Sequence, residues 1–406
     1  MNTSLALHQT DGSSRYSRSV SEHLNDRDEL TEQDEPVVRD PLAPWGTDGP
    51  PPSGQWRTDV LGEGFVSRTI DLLPDDEGPV VATLVRHDPE NDPNADDLRS
   101  VDRPIIRLEN PVTVLYLHGR NDYYFQRHLA RHISALGGRF YALDLRKYGR
   151  SLRPWQTIGF ISDIDDYDED MGEALDIIRG ECPDGPLIVM GHSTGGLIAT
   201  LWAWRHPGAL DGLVLNSPWL EMQTLAVVRS AVQPVLGRIA ARTPLWEIPA
   251  STGPDHYGRS LMEGWSTSGF DLPEELRDFP DDDPAFTGWD YLHEWKRPEG
   301  YPVYAQWLDA ILVGHEKIEH SVSIDCPILS MMSTHSYFDE KWSPEVFRSD
   351  TVLDADVLAT RSAHLGSLVT IARFDGRHDL VLSDPDVRQR VWYTMDSWLE
   401  FMAHAL

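Results

Sequence analysis

The segment Gly191-His192-Ser193-Thr194-Gly195 constrains this chain more than any other. The apolar run Leu187-Ile188-Val189-Met190 enters it, and Leu197-Ile198-Ala199-Thr200-Leu201-Trp202-Ala203 leaves it at helical spacing. A strand must therefore turn sharply into a helix, with a serine at the turn. The serine backbone is expected in a sparsely allowed conformation, tolerated because the flanking glycines let strand and helix approach closely. Its hydroxyl then stands at the carboxyl edge of a sheet and at a helix N-terminus, where free N–H groups and the helix dipole favour developing negative charge. The pattern reads as a nucleophile elbow with Ser193 as nucleophile.

The rest of the chain alternates. Paired strands are predicted at 63–71 and 79–86, and further strands at 112–118, 139–143, 187–190, 211–216, 326–332 and 369–374. Helices are predicted at 122–136, 164–179 and 194–205, and at the C-terminus. Such alternation implies an α/β fold: a mostly parallel eight-stranded sheet with helices on both faces. Between Ser217 and Ser321 it stops for about a hundred residues, too long for an ordinary connection. Leu220 to Ala241 and Tyr301 to His320 are helix-like, and six of the 14 tryptophans, Trp219, Trp246, Trp265, Trp289, Trp295 and Trp307, fall in this stretch. Tryptophan offers a large rigid apolar face, so residues 218–320 read as a helical lid over the serine. Residues 1–55 are polar and acidic, close on Pro50-Pro51-Pro52 and read as a flexible extension. That leaves 56–217 and 321–406 as the two parts of the core.

Aspartate and glutamate outnumber lysine and arginine by 66 to 35, and the net charge of -31 excludes nucleic acid and anionic membrane surfaces as partners. No apolar run of about 18 residues is present to span a membrane, and the first forty residues lack the apolar core of an export signal. Cys182 lies just before the fifth strand and Cys326 at the start of the seventh, strands expected to be separated by the sixth and so too far apart for a disulfide, and both are expected as free thiols in a reducing cytoplasm. No metal-ligand spacing occurs, and no cofactor is expected.

Three further segments accompany the elbow: Leu117-His118-Gly119-Arg120-Asn121-Asp122-Tyr123-Tyr124-Phe125, Asp144-Leu145-Arg146-Lys147-Tyr148-Gly149-Arg150-Ser151 and Tyr257-Gly258-Arg259-Ser260-Leu261. With them, residues 60 to 406 resemble the α/β-hydrolase superfamily. The lidded layout is similar to its monoacylglycerol lipase, lysophospholipase and serine aminopeptidase group. The resemblance implies an oxyanion hole made by the amides of Arg120 and Thr194. It also implies a histidine base on the loop after the last strand, where Asp375-Gly376-Arg377-His378-Asp379 offers His378. The acid should follow the seventh strand, yet Ser333-Thr334-His335-Ser336-Tyr337-Phe338 holds no carboxylate. Asp350 is preferred, which makes 337–349 an insertion, and Asp339 and Asp354 are the alternatives. Asn121, Tyr123, Trp219 and Trp295 are candidate substrate contacts. His118 is expected to hold its loop, and the Arg120 side chain to sit at a solvated rim or meet an anionic substrate group.

The implied reaction is two-step acyl transfer on a small carboxylic ester of the lysophospholipase, monoacylglycerol lipase or carboxylesterase type. An amidase of the serine aminopeptidase type and an inactive hydrolase-fold binding protein are the other readings. Haloalkane dehalogenases and epoxide hydrolases would place an aspartate where Ser193 stands. Arg120-Asn121-Asp122 is not the glycine- and proline-rich loop of a proline iminopeptidase.

Overall fold

Why Ser193 ends up at a sheet edge follows from the order in which the strands pair. The computed structural model describes residues 39–98, 105, 107–222, 226–249 and 255–405, and from Asp40 onward the chain forms one unit. The strands are β1 (Arg57–Asp59), β2 (Gly62–Asp75), β3 (Gly78–His87), β4 (Thr113–Leu117), β5 (Arg139–Asp144), β6 (Leu187–His192), β7 (Gly212–Asn216), β8 (Glu247–Ile248), β9 (Val303–Tyr304), β10 (Ile328–Ser333) and β11 (Val369–Phe374). Nine of them form one sheet in the order β1-β2-β3-β5-β4-β6-β7-β10-β11, and β8 pairs with β9 apart from it. Pairing is antiparallel from β1 through to the β3–β5 contact and parallel from β5 to β11. The chain passes from β4 to β5 on one side and then to β6 on the other. Strand order therefore switches between β4 and β6, and the crevice beyond their carboxyl ends is where open α/β sheets bind ligands. Ser193 follows β6, and Arg120 follows β4.

Helices α1 (Arg127–Ala135), α2 (Tyr167–Glu181), α3 (Thr194–Arg205), α8 (Ala355–Ser362) and α9 (Pro385–Ala405) cover the sheet. Every residue of β4, β6, β7 and β10 is buried, as expected of strands covered on both faces. Between β7 and β10 the chain leaves the sheet and forms α4 (Ala226–Ala240), α5 (His256–Glu263), α6 (Pro284–Thr287) and α7 (Ala305–His320). Within this inserted stretch Trp265, Trp295 and Trp307 are buried, whereas Trp246 is exposed. No helix among the described residues is long and apolar enough to cross a membrane.

Three expectations need correction. The main sheet has nine strands, not eight, because β1 is a three-residue edge strand too short to show alternation. Helix α1 begins at Arg127 and not at 122. The amides of Tyr123, Tyr124 and Phe125 donate instead to side-chain oxygens of Asp122, Asp144 and Gln126 at 2.9, 2.8 and 3.0 Å. Residues 40–55 are not a loose tail. Pro41 accepts the Trp295 Nε1–H at 2.8 Å, Pro51 accepts the Thr69 hydroxyl at 2.7 Å, and the Trp45 ring lies 5.8 Å from that of Trp295. Residues 1–38, the rest of the expected extension, lie outside the described residues.

The carboxyl edge of the sheet is tied by a guanidinium. Arg150 has no side-chain exposure, as have its partners Asp59 and Asp144. It donates to Asp59 from Nε at 2.8 Å and from Nη2 at 2.7 Å, and from Nη1 to Asp144 at 2.8 Å and to the Tyr124 carbonyl at 2.9 Å. Burial alone would pull its pKa down, but the two carboxylates outweigh that and raise it. Arg150→Met removes the cation that pairs with Asp59 and Asp144 and leaves two carboxylates sealed in the interior. The expected cost in urea denaturation is about 3–5 kcal/mol, and a loss below about 1 kcal/mol would show that the cluster is not a structural tie.

Candidate active site

Ser193 sits between β6 and α3 with φ 52° and ψ -117°, a backbone strain of the order of 1–3 kcal/mol. The surroundings hold it there. Its amide donates to the Asn216 carbonyl at 3.1 Å, and its own carbonyl accepts from Gly196 and Trp219, each at 2.9 Å. The flanking glycines are required by close approach: a Cβ at Gly191 would lie 2.5 Å from the Gly195 carbonyl oxygen, and one at Gly195 would lie 2.5 Å from that of His118. The Thr194 amide is the first N–H of α3, which helix geometry leaves without an intrahelical acceptor.

His378 lines the same cavity as Ser193. Its Nδ1 is 2.8 Å from Oδ2 of Asp350, and both side chains are buried. The other oxygen of Asp350 accepts the amides of Val352 at 2.8 Å and Leu353 at 2.7 Å. Residues 337–349 form an excursion that returns beside its own start. The Asp350 amide donates to the His335 carbonyl and the Tyr337 amide to the Asp350 carbonyl, so Asp350 stands next to the exit of β10. The alternatives have other partners: Asp339 accepts the Lys341 amide at 3.0 Å, and Asp354 caps α8 by accepting the Asp356 and Val357 amides.

Two residues that sequence reasoning missed hold the loop after β11. Asp379, fully buried, accepts the Asn216 side-chain amide at 2.6 Å and that of Gln126 at 3.2 Å, while Asn216 Oδ1 accepts the Leu380 amide at 3.2 Å. Their chain positions, at the end of β7 and just before α1, carry no periodic signal. Around His378, the His192 ring lies at 4.9 Å and the Tyr257 ring stands edge-on at 5.4 Å. Burial pushes the His192 pKa down to about 4, so this second imidazole stays neutral and donates to the Asn216 carbonyl.

The cavity measures about 300 Å³, and Arg120, Asn121, Thr194 and Trp219 line it with Ser193 and His378. Tyr123 and Trp295 do not line it, contrary to expectation. The Tyr123 hydroxyl accepts the Leu292 amide, its ring stands edge-on at 5.1 Å from Trp295, and the Trp295 N–H is spent on Pro41, so both rings form packing behind the wall. His118 donates from Nδ1 to the Gly119 carbonyl at 2.7 Å and accepts the Leu145 amide at Nε2 at 3.1 Å, which ties the β4 exit loop to the end of β5. The Arg120 side chain is not a solvated rim group, because carbonyls of the inserted segment cover it: it donates to Pro302 at 2.6 Å and to Tyr301 at 3.2 Å. No group of His, Cys, Asp or Glu among the described residues is placed to hold a metal, and both cysteines are free.

The polar wall of the cavity contains Asp122, whose Oδ1 is 3.3 Å from Lys296 Nζ. Burial pushes the Asp122 pKa up to about 6 despite that cation. Its folded pKa exceeds the unfolded value near 4, so the native state binds the extra proton and this group's contribution to stability falls as pH rises from about 4 to about 6. Urea titrations across that window should show Asp122→Asn with a more positive slope than the parent, by up to about 1.4 kcal/mol per pH unit. Equal slopes would contradict the shift.

The serine aminopeptidase S33 family model matches residues 109–281. Over 124 residues the chain is 33% identical to the monoacylglycerol lipase of Mycolicibacterium smegmatis, covering 30% of this chain and 43% of that one. Over 219 residues it is 25% identical to the (lyso)-N-acylphosphatidylethanolamine lipase of Bos taurus, covering 51% of this chain and 60% of that one. The chain thus spans about half the length of these curated relatives. A highly thermostable carboxyl esterase from Bacillus coagulans, solved in complex with glycerol, superposes with a TM-score of 0.51 at 18% identity, covering 83% of this chain and 99% of that one. The strand order, the serine turn and these likenesses converge: the chain has the α/β-hydrolase fold and resembles the monoacylglycerol lipase group.

Proposed function

We propose that this protein is a serine hydrolase that cleaves a carboxylic ester through an acyl-enzyme on Ser193. The observation that carries the reading is the 2.8 Å contact between His378 Nδ1 and Asp350, with the same imidazole lining the cavity that holds Ser193. In this reading Asp350 fixes the imidazole so that Nδ1 carries the proton and Nε2 acts as base. Attack of the hydroxyl on the acyl carbonyl transfers its proton to His378, and the amides of Arg120 and Thr194 stabilise the oxyanion. His378 returns the proton to the leaving alcohol. Water, activated by the same imidazole, then releases the acid.

The cavity volume supports a small monoacyl substrate of the monoacylglycerol or lysophospholipid type, since ligand pockets span about 300–1,000 Å³. Residues 218–320 act as the lid that walls the cavity, and Asn121 and Trp219 meet the substrate there. A free cation on the substrate, as an aminopeptidase would bind, has a poor partner. Asp122 already faces Lys296, and Asp255 caps α5 by accepting the Gly258 amide. Free Cys182 and Cys326 support action in a reducing cytoplasm.

Two measurements test the reading. A fluorophosphonate probe should label Ser193 on folded protein, as located by peptide mass mapping, and an adduct elsewhere would remove the serine from its role. On a short p-nitrophenyl ester, Asp350→Asn should lower turnover about 10⁴-fold, the loss seen when the triad acid of a serine protease becomes its amide. Asp339→Asn and Asp354→Asn should retain turnover within a few-fold, the latter because asparagine also caps helices. Full activity of Asp350→Asn would show that this carboxylate does not orient the base.

A further inference from the structure

Three successive side chains of the β4 exit loop grip the inserted segment. Arg120 donates from Nη2 to the carbonyls of Pro302 and Tyr301 at 2.6 and 3.2 Å, and its guanidinium lies 4.0 Å from the centre of the Trp307 ring. Asn121 Oδ1 accepts the Tyr301 amide at 2.9 Å, and Asp122 faces Lys296 at 3.3 Å. All three residues line the cavity beside Ser193. Asn121 holds φ 58°, the left-handed region that asparagine adopts more readily than most other side-chain-bearing residues.

We infer that Arg120 is a positioning residue: its side chain clamps the loop that carries its own amide onto the inserted segment, so that segment sets the geometry of the oxyanion hole. The inference rests on the Ser193 acyl-transfer reading and deepens it. An oxyanion donor acts only within about 2.7–3.1 Å of the developing charge, and a loop that carries such a donor needs an anchor to keep it within that range. A guanidinium is suited to the task because it stacks on an aromatic face while donating in its own plane. With its Nη2 spent on two carbonyls and its plane on Trp307, Arg120 reaches the chemistry through its backbone.

The test compares Arg120→Ala, Arg120→Lys and Asn121→Gly with the parent on two p-nitrophenyl esters, one neutral and one bearing a carboxylate. Arg120→Ala should lower kcat about 10- to 100-fold on both esters, with KM within about 3-fold. Arg120→Lys should recover part of the loss, because an amine can still donate to a carbonyl above the ring. Asn121→Gly keeps the positive φ while cutting the second tie, and should lower kcat in the same direction. In a Ser193→Ala background, Arg120→Ala should raise amide hydrogen exchange in 118–123 and 296–307 together. Unchanged kcat, or a KM increase confined to the anionic ester, would overturn the clamp, the second outcome making Arg120 a substrate contact. If Arg120→Ala fails to fold, the lysine and Asn121→Gly variants carry the same comparison. Absence of Ser193-dependent turnover in the parent would defeat the hydrolase reading, while the exchange measurement would still decide the clamp.

Discussion

A guanidinium sealed from solvent organises the carboxyl edge of this sheet. Arg150 binds Asp59 on the edge strand, Asp144 at the end of β5 and the Tyr124 carbonyl on the β4 exit loop, and Asp144 also accepts the Tyr124 amide. Each ion alone would be costly to bury, and the arrangement persists because every partner is met with good geometry. Its effect on the site is indirect. With Tyr124 fixed, residues 118–123 have one anchored end, and the grip of the inserted segment supplies the other. The loop is held from both sides before any ligand arrives.

The same economy appears on the opposite side of the cavity. Asn216, at the end of β7, bonds with its backbone to Ser193 and His192 and with its side chain to Asp379 and Leu380. One residue thus couples the strained serine to the loop carrying His378. Preorganisation of this kind avoids reorganisation at the moment of reaction, which is where electrostatic stabilisation gains most. The strain at Ser193 is then a property of the whole sheet edge, since strand, helix and neighbouring loop all contribute bonds to it.

How much of this is legible in the sequence depends on the range of the interaction. Strands β4, β6 and β7 are buried throughout and read as apolar runs, so the parallel core is visible in a one-dimensional pattern. The serine turn is visible because glycine spacing records local close contacts. Residues 40–55 are misread because average polarity over a long stretch hides a single tryptophan and two prolines that find partners. Tyr123 and Trp295 stand in the right segments yet face away from the cavity, and only their long-range bonds to Leu292 and Pro41 decide that. Asn216 and Asp379 meet across the fold through polar groups that follow no period. Asp350 is a candidate on spacing alone, and its place beside His378 depends on an isolated bridge to Ser336.

That bridge makes the stretch from 337 to 349 a closed ring in the topological sense, with both ends pinned at one point of the sheet edge. A pinned loop can lengthen cheaply, each doubling costing about 0.6 kcal/mol in closure entropy. Its content is therefore free to change while the carboxylate at its root stays where it is. Here the ring carries Phe347, stacked at 4.3 Å on Trp265 of the inserted stretch. The excursion thus gives the inserted stretch a second foothold on the core, while the bridge at its root keeps Asp350 at the sheet edge.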